Sequence, residues 1–145
     1  MKISMQLKGL QNAVAGVERY TNSKLEGAKR IIVESTVNIQ SDAVSLAPED
    51  TGNLKSSIDF NITNNGLTGE IFAGAEYAPD VEFGTAPHKI VAKNGKALAF
   101  KKNGKTVFAK SVNHPGTRAQ PFLFPAWEAE MPKFESAMRK ELNTK

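Results

Sequence analysis

The sequence predicts an α+β fold, a small antiparallel sheet packed by a long helix in its N-terminal half and by a C-terminal helix, with a projecting lysine-rich hairpin. Three observations carry that expectation. Apolar residues recur at helical spacing from Leu25 to Leu46 and again from Trp127 to Leu142. Between those stretches they alternate in short runs broken by Asn-Gly pairs, the mark of hairpins. Helices and strands kept in separate stretches favour antiparallel pairing with helices to one side. With 145 residues, 40% hydrophobic and 23% charged, the chain suits a single globular domain over residues 1–145.

Taken in order, Ile3, Met5 and Leu7 alternate with polar residues and predict a short strand. Leu10, Val14 and Val17 predict a first helical stretch. Ser23-Lys24-Leu25-Glu26 has the form of a capping box, in which Ser23 accepts from the N–H of Glu26. From about Lys24 to Leu46 a helix of roughly 35 Å follows, at 1.5 Å per residue. Leu25, Ala28, Ile32, Ile39, Ala43 and Leu46 form its main stripe, and Ile31, Val33 and Val37 widen it beyond what a surface helix requires. That second edge is wrapped either by sheet and C-terminal helix or by another subunit. Pro48 ends the helix by pushing Ala47 out of the α region.

Asp50 or Thr51 is then placed to cap a single helical turn, and Gly52 permits an unusual backbone angle. Ile58, Phe60 and Ile62 predict a strand, Asn64-Asn65-Gly66 a tight turn, and Leu67, Ile71 and Ala73 the partner strand. Glu76 to Thr85 predicts one or two helical turns stopped at Gly84, with Tyr77, Val81 and Phe83 toward the core. Ala86 to Ala97 reads as a loop. Leu98–Lys101 and Thr106–Lys110 form a second hairpin around Asn103-Gly104, and strand alternation assigns Phe100 and Phe108 to the core. From Asn113 to Trp127 three prolines and an aromatic cluster make a junction. Pro115-Gly116 turns the chain, and Pro121 takes the first helical position, delivering Phe122, Leu123, Phe124 and Trp127 to the helix start. Trp127, Met131, Phe134, Met138 and Leu142 continue that helix, with a kink expected at Pro132.

The net charge of +4 is unevenly spread. Between Phe83 and Trp127 there is no acid, while Lys89, Lys93, Lys96, Lys101, Lys102, Lys105, Lys110 and Arg118 contribute +8; the remainder is −4. A cationic middle on an acidic body can meet a phosphate backbone or an acidic protein surface, or can be a solvated face. Glu76, Asp80 and Glu82 form an acidic edge, suited to pairing with the lysine segment of a neighbouring copy. Their spacing is not that of an EF-hand.

Catalytic signatures are weak. The absence of cysteine removes disulfides, thiolate zinc sites and cysteine nucleophiles. His114 with Asp50 or Asp80 lacks a serine on a nucleophile elbow, and in its turn His114 should bond neighbouring backbone. No phosphate-binding loop or dinucleotide fingerprint occurs, so no cofactor is implied. No apolar run approaches the roughly 20 residues of a membrane span, so no membrane partner is expected.

Three segments carry a resemblance. Ala47-Pro48-Glu49-Asp50-Thr51-Gly52-Asn53-Leu54 is similar to A-P-x-D-T-G-x-L, with glutamate at position 49 where a small apolar residue is more usual. Tyr77-Ala78-Pro79-Asp80-Val81-Glu82-Phe83-Gly84-Thr85 resembles Y-A-x-x-V-E-F-G-T. His114-Pro115-Gly116-Thr117-Arg118-Ala119-Gln120-Pro121-Phe122 resembles H-P-G-T-x-A-Q-P-F. Together, over about Leu25 to Trp127, they resemble the minor tail-component family of long-tailed bacteriophages and prophages, small proteins of the head–tail joining or tail completion type. The resemblance implies a virion structural protein, not an enzyme, made in the host cytoplasm and placed at the neck. It implies a ring of copies around the DNA channel, between a connector or stopper and a tail terminator or tail tube. The lysine arm would then contact a neighbouring acidic surface or the DNA itself. The alternative is a nonspecific nucleic-acid-binding protein, whose DNA affinity would fall steeply with salt.

Overall fold

The computed structural model describes residues 1–6, 22–93 and 96–144. Leu7, the helical stretch expected through Leu10, Val14 and Val17, and the Asn94-Gly95 pair lie outside the described residues. The long helix α1 (Asn22–Leu46) is the middle layer, with a sheet on one side and a second helix on the other. Ala28, Ile32, Ile39 and Ala43 are all buried, which is the stripe the spacing predicts. Its ends depart from expectation. Asn22 and Ser23 are already helical, so Ser23 lies inside the first turn instead of capping it. Leu46 is exposed, as are Val33 and Val37, so part of the wider apolar sector is uncovered.

Three strands form the sheet: β1 (Lys2–Gln6), β2 (Ile58–Thr63) and β3 (Thr68–Ala73), in the antiparallel order β1–β3–β2. A short helix, α2 (Asn53–Ser56), precedes β2. Ile71 pairs with Ile3 on one side and Phe60 on the other, while Ile58 pairs with Ala73. These residues share the face against α1; Asp59, Asn61 and Glu70 take the solvent face, where Lys2 meets Glu70 at 2.8 Å. The β2–β3 turn uses positive φ at Asn64, Asn65 and Gly66, residue types that tolerate the left-handed region.

Gly69 sets how closely sheet and helix approach. A Cβ there would strike the hydroxyl of Thr36, which donates to the Ile32 carbonyl at 2.6 Å inside α1. Gly69→Ala should therefore cost about 1–3 kcal/mol by overpacking, measured as a lower urea midpoint. Thr36→Ala in the same chain should recover most of that loss.

The C-terminal helix α4 (Leu123–Asn143) lies on the far side of α1. Lys24 Nζ donates to the Glu141 carbonyl at 2.9 Å and Asn38 Nδ2 to Glu130 Oε1 at 3.1 Å, so the two helices run antiparallel. Phe134 and Met138 fill the contact, and Trp127 and Met131 pack at its border. Glu130 is buried at this seam, with Lys133 Nζ 3.4 Å from its second oxygen.

Between sheet and C-terminal helix come α3 (Ala78–Phe83), β4 (His88–Val91), β5 (Leu98–Lys102), β6 (Lys105–Ala109) and β7 (Ser111–His114). The expected loop over Ala86 to Ala97 thus contains a strand, β4, paired antiparallel with β7 from His88↔His114 to Val91↔Ser111. The Ala92 N–H donates to the Lys110 carbonyl at 2.9 Å and prolongs this ribbon. Beyond it β5 and β6 form the hairpin expected around Asn103-Gly104, both with positive φ. The result is an arm, residues 88–114, with a paired base and a paired tip. No described residue from Ala86 to Pro121 is buried.

Candidate assembly interface

The three motif segments converge on one structure, and their residues serve to hold one another. The first begins where α1 ends. Gly52, at φ 80°, starts α2 directly with no side-chain cap, so neither Asp50 nor Thr51 fills the capping role expected of them. Both are exposed, Pro48 is half-buried and Leu54 enters the core. Asn53 Nδ2 donates to the Tyr77 hydroxyl at 3.2 Å, which ties the first segment to the second.

The second segment departs most from expectation. Tyr77 and Phe83 face solvent, 42% and 61% exposed, while Ala78 and Glu82 are the residues α3 buries. Glu82 is therefore not part of an acidic edge. Its Oε2 accepts the backbone N–H groups of Phe122 at 2.8 Å and Leu123 at 3.0 Å, and Oε1 accepts that of Phe124 at 2.9 Å. Those donors belong to the start of α4, where the first N–H groups of any helix lack intrahelical partners and the dipole favours negative charge. Phe122, at the cap position, has no side chain able to accept them. Glu82 supplies from 40 residues away the cap that α4 lacks. Pro121 lies ahead of the helix, not at its first position, and Pro125 occupies the first turn instead.

A second clamp lies beside the first. Thr85 and Thr117 exchange backbone hydrogen bonds at 3.0 and 3.1 Å, and their hydroxyls meet at 3.0 Å. Each threonine follows a glycine, Gly84 at φ 71° and Gly116 at φ 85°. A Cβ on Gly84 would sit 2.6 Å from the Thr117 carbonyl oxygen, and one on Gly116 would strike that of Thr85. The two Gly-Thr pairs thus pack backbone on backbone, which only glycine allows. Gln120 N–H donates to the Val81 carbonyl at 2.8 Å, and the Gly116 N–H donates to His114 Nδ1 at 3.1 Å, the backbone bond expected of His114 in its turn. Pro115 is exposed on this turn. The rings of His88 and His114 lie 5.1 Å apart across the base of the arm.

What this frame carries is the arm. Lys89, Lys93, Lys96, Lys101, Lys102, Lys105, Lys110 and Arg118 are all exposed, and none has an ion-pair partner among the described residues. Glu76 and Asp80 are likewise exposed and unpaired, so the acidic edge survives as two residues. Phe108, assigned to the core by strand alternation, is 69% exposed, because among the described residues the β5–β6 hairpin has no layer over it that could receive the ring; Phe100 is half-buried. Phe83 and Phe124 stack edge to face at 5.7 Å, both largely exposed. Glu82 is directed inward and His114 is engaged with its own turn.

A domain of this kind uses its motif residues to fix loop shape and leaves apolar and charged groups outward, as assembly proteins do. Residues 14–84 match the HK97-gp10-like family, described as "Bacteriophage HK97-gp10, putative tail-component". The matched stretch, just under half of the chain, contains the first motif segment and the second as far as Gly84, and supports assignment to a phage tail-component family. No curated protein and no solved structure matches the chain. Among the described residues no helix is long and apolar enough to cross a membrane.

Proposed function

We propose that the protein acts at the head–tail interface of the virion, in tail completion or head–tail joining, as a ring of copies around the DNA channel. The observation that carries this reading is the double clamp, Glu82 on the start of α4 and Thr85 on Thr117, which holds an unburied cationic arm in fixed relation to the α-helical body. Rigid presentation of an arm whose lysines have no ion-pair partner among the described residues suits repeated docking between identical copies. Rings arise from heterologous contacts, one patch of each copy meeting a different patch of the next. The two faces of such a ring would meet a connector or stopper and a tail terminator or tail tube, with the channel DNA inside.

Deletion of the gene tests this directly. Filled heads and free tails, both complete but unjoined by electron microscopy, are the expected outcome. Infectious, intact particles in normal yield would exclude the role.

A further inference from the structure

Resting on the ring reading, we infer that the arm of each copy docks on the next copy, with Phe108 seated on the exposed Phe83–Phe124 pair and the tip lysines facing Glu76 and Asp80. The occupant of the aromatic patch is a second copy of this chain.

Three features lead there. Phe83, Phe124 and Phe108 are 61%, 43% and 69% exposed, so the arm's phenylalanine is not covering the pair in its own chain. Large exposed aromatics rimmed by charge mark protein contacts, and aromatic anchors dominate their energetics. The charges are complementary. Asp80 lies one helical turn from Phe83 on α3, with Glu76 just before that helix, and both lack ion-pair partners among the described residues. On the hairpin, Phe108 stands opposite Ala99, and the next cross-strand pair on the same face is Lys101↔Thr106. Phe108 thus has a small neighbour on one side and cationic side chains toward the tip, a greasy knob with a basic collar. The counterpart is an aromatic pair with an acidic border. Finally, an isolated two-stranded hairpin is marginal in water, so a hairpin with no fully buried residue gains order from a partner. Knob and patch are different surfaces of one chain, which is the heterologous arrangement a closed ring needs.

The chain has no cysteine, so engineered thiols report without background. Differently tagged Phe108→Cys and Phe83→Cys copies, produced together in place of the natural protein, would be oxidised with copper phenanthroline in purified particles. A disulfide-linked dimer carrying both tags is expected, and a ladder of multimers when both substitutions share one chain. Phe108→Cys with Ser136→Cys, an exposed position on α4, should give neither. Independently, Lys101→Glu with Lys102→Glu and Lys105→Glu should lower infectious yield at least tenfold, and Glu76→Lys with Asp80→Lys should restore it. Protein present in joined particles, yet with no mixed-tag dimer and no charge rescue, would overturn the docking while leaving the tail role intact. A Phe83→Cys cross-link to a different virion protein would overturn it too. So would loss of salt-sensitive DNA retention in the lysine variant without a mixed-tag dimer, since the arm would then serve the channel DNA. Particles that lack the protein altogether would sink the ring reading itself.

Discussion

Glu82→Ala should lower the unfolding free energy by about 3–5 kcal/mol, the largest loss expected of any single carboxylate in the chain. The substitution removes one acceptor group but orphans three donors, the N–H groups of Phe122, Leu123 and Phe124, two of them fully buried. Each buried unsatisfied donor costs about 1–3 kcal/mol, and breaking a buried charged network about 3–5. At roughly 3 °C per kcal/mol for a domain of this size, Tm should fall by about 10–15 °C. Glu82→Gln keeps one acceptor oxygen, which can still serve Phe122 and Leu123, the two donors now sharing Oε2. The third, at Phe124, is only partly buried and can turn to water, so the glutamine variant should lose less, about 1–3 kcal/mol. Glu76→Ala is the matched control, an exposed acid on the same segment whose loss should stay within about 0.5 kcal/mol. Thermal unfolding followed by circular dichroism ranks the three. A Glu82→Ala melt indistinguishable from that of Glu76→Ala would mean that α4 does not depend on this cap.

The two long helices were legible because periodicity reports burial directly. Ala28, Ile32, Ile39 and Ala43 on one, Phe134 and Met138 on the other, sit where their spacing puts them. Turn glycines were legible for a related reason, since Gly52, Gly66, Gly84, Gly104 and Gly116 all take a positive φ that other residues avoid. Several departures from the pattern share an origin: a side chain's type does not fix its address. Tyr77, Phe83 and Phe108 are aromatic yet exposed, because among the described residues the elements that bear them have no second layer above them. Glu82 is charged yet buried, because its partners are backbone groups 40 residues away that no local pattern contains. A signal for it did exist. The helix beginning at Leu123 has no Ser, Thr, Asp or Asn at its cap, and an uncapped helix start packed into a core needs an acceptor from elsewhere. Strand β4 left no such trace, since all four of its residues are exposed and no alternation distinguishes them from a loop.

Gly84→Ala should cost about 2–4 kcal/mol. Two penalties combine. Its backbone, at φ 71° and ψ 175°, lies in a region essentially reserved for glycine, where any side chain brings about 1–3 kcal/mol of strain. The added methyl would also lie 2.6 Å from the Thr117 carbonyl oxygen and 2.8 Å from the Ala119 nitrogen. Both obstacles are backbone atoms, so no rotamer change relieves them, and Thr117 is held in place by its own bonds to Thr85. Gly52→Ala separates the two penalties, for Gly52 has φ 80° but nothing within 4 Å of a Cβ, leaving strain alone at about 1–2 kcal/mol. The difference should be visible beyond stability. Gly84→Ala forces Thr85 and Thr117 apart and so loosens the base of the arm, whose exposed lysines are trypsin sites. Limited trypsinolysis should therefore cut Gly84→Ala within residues 89–110 several times faster than Gly52→Ala. Equal melting temperatures and equal cleavage rates for the two variants would show that the Gly-Thr pairs do not brace the arm, and the case for a rigidly presented docking element would fail with them.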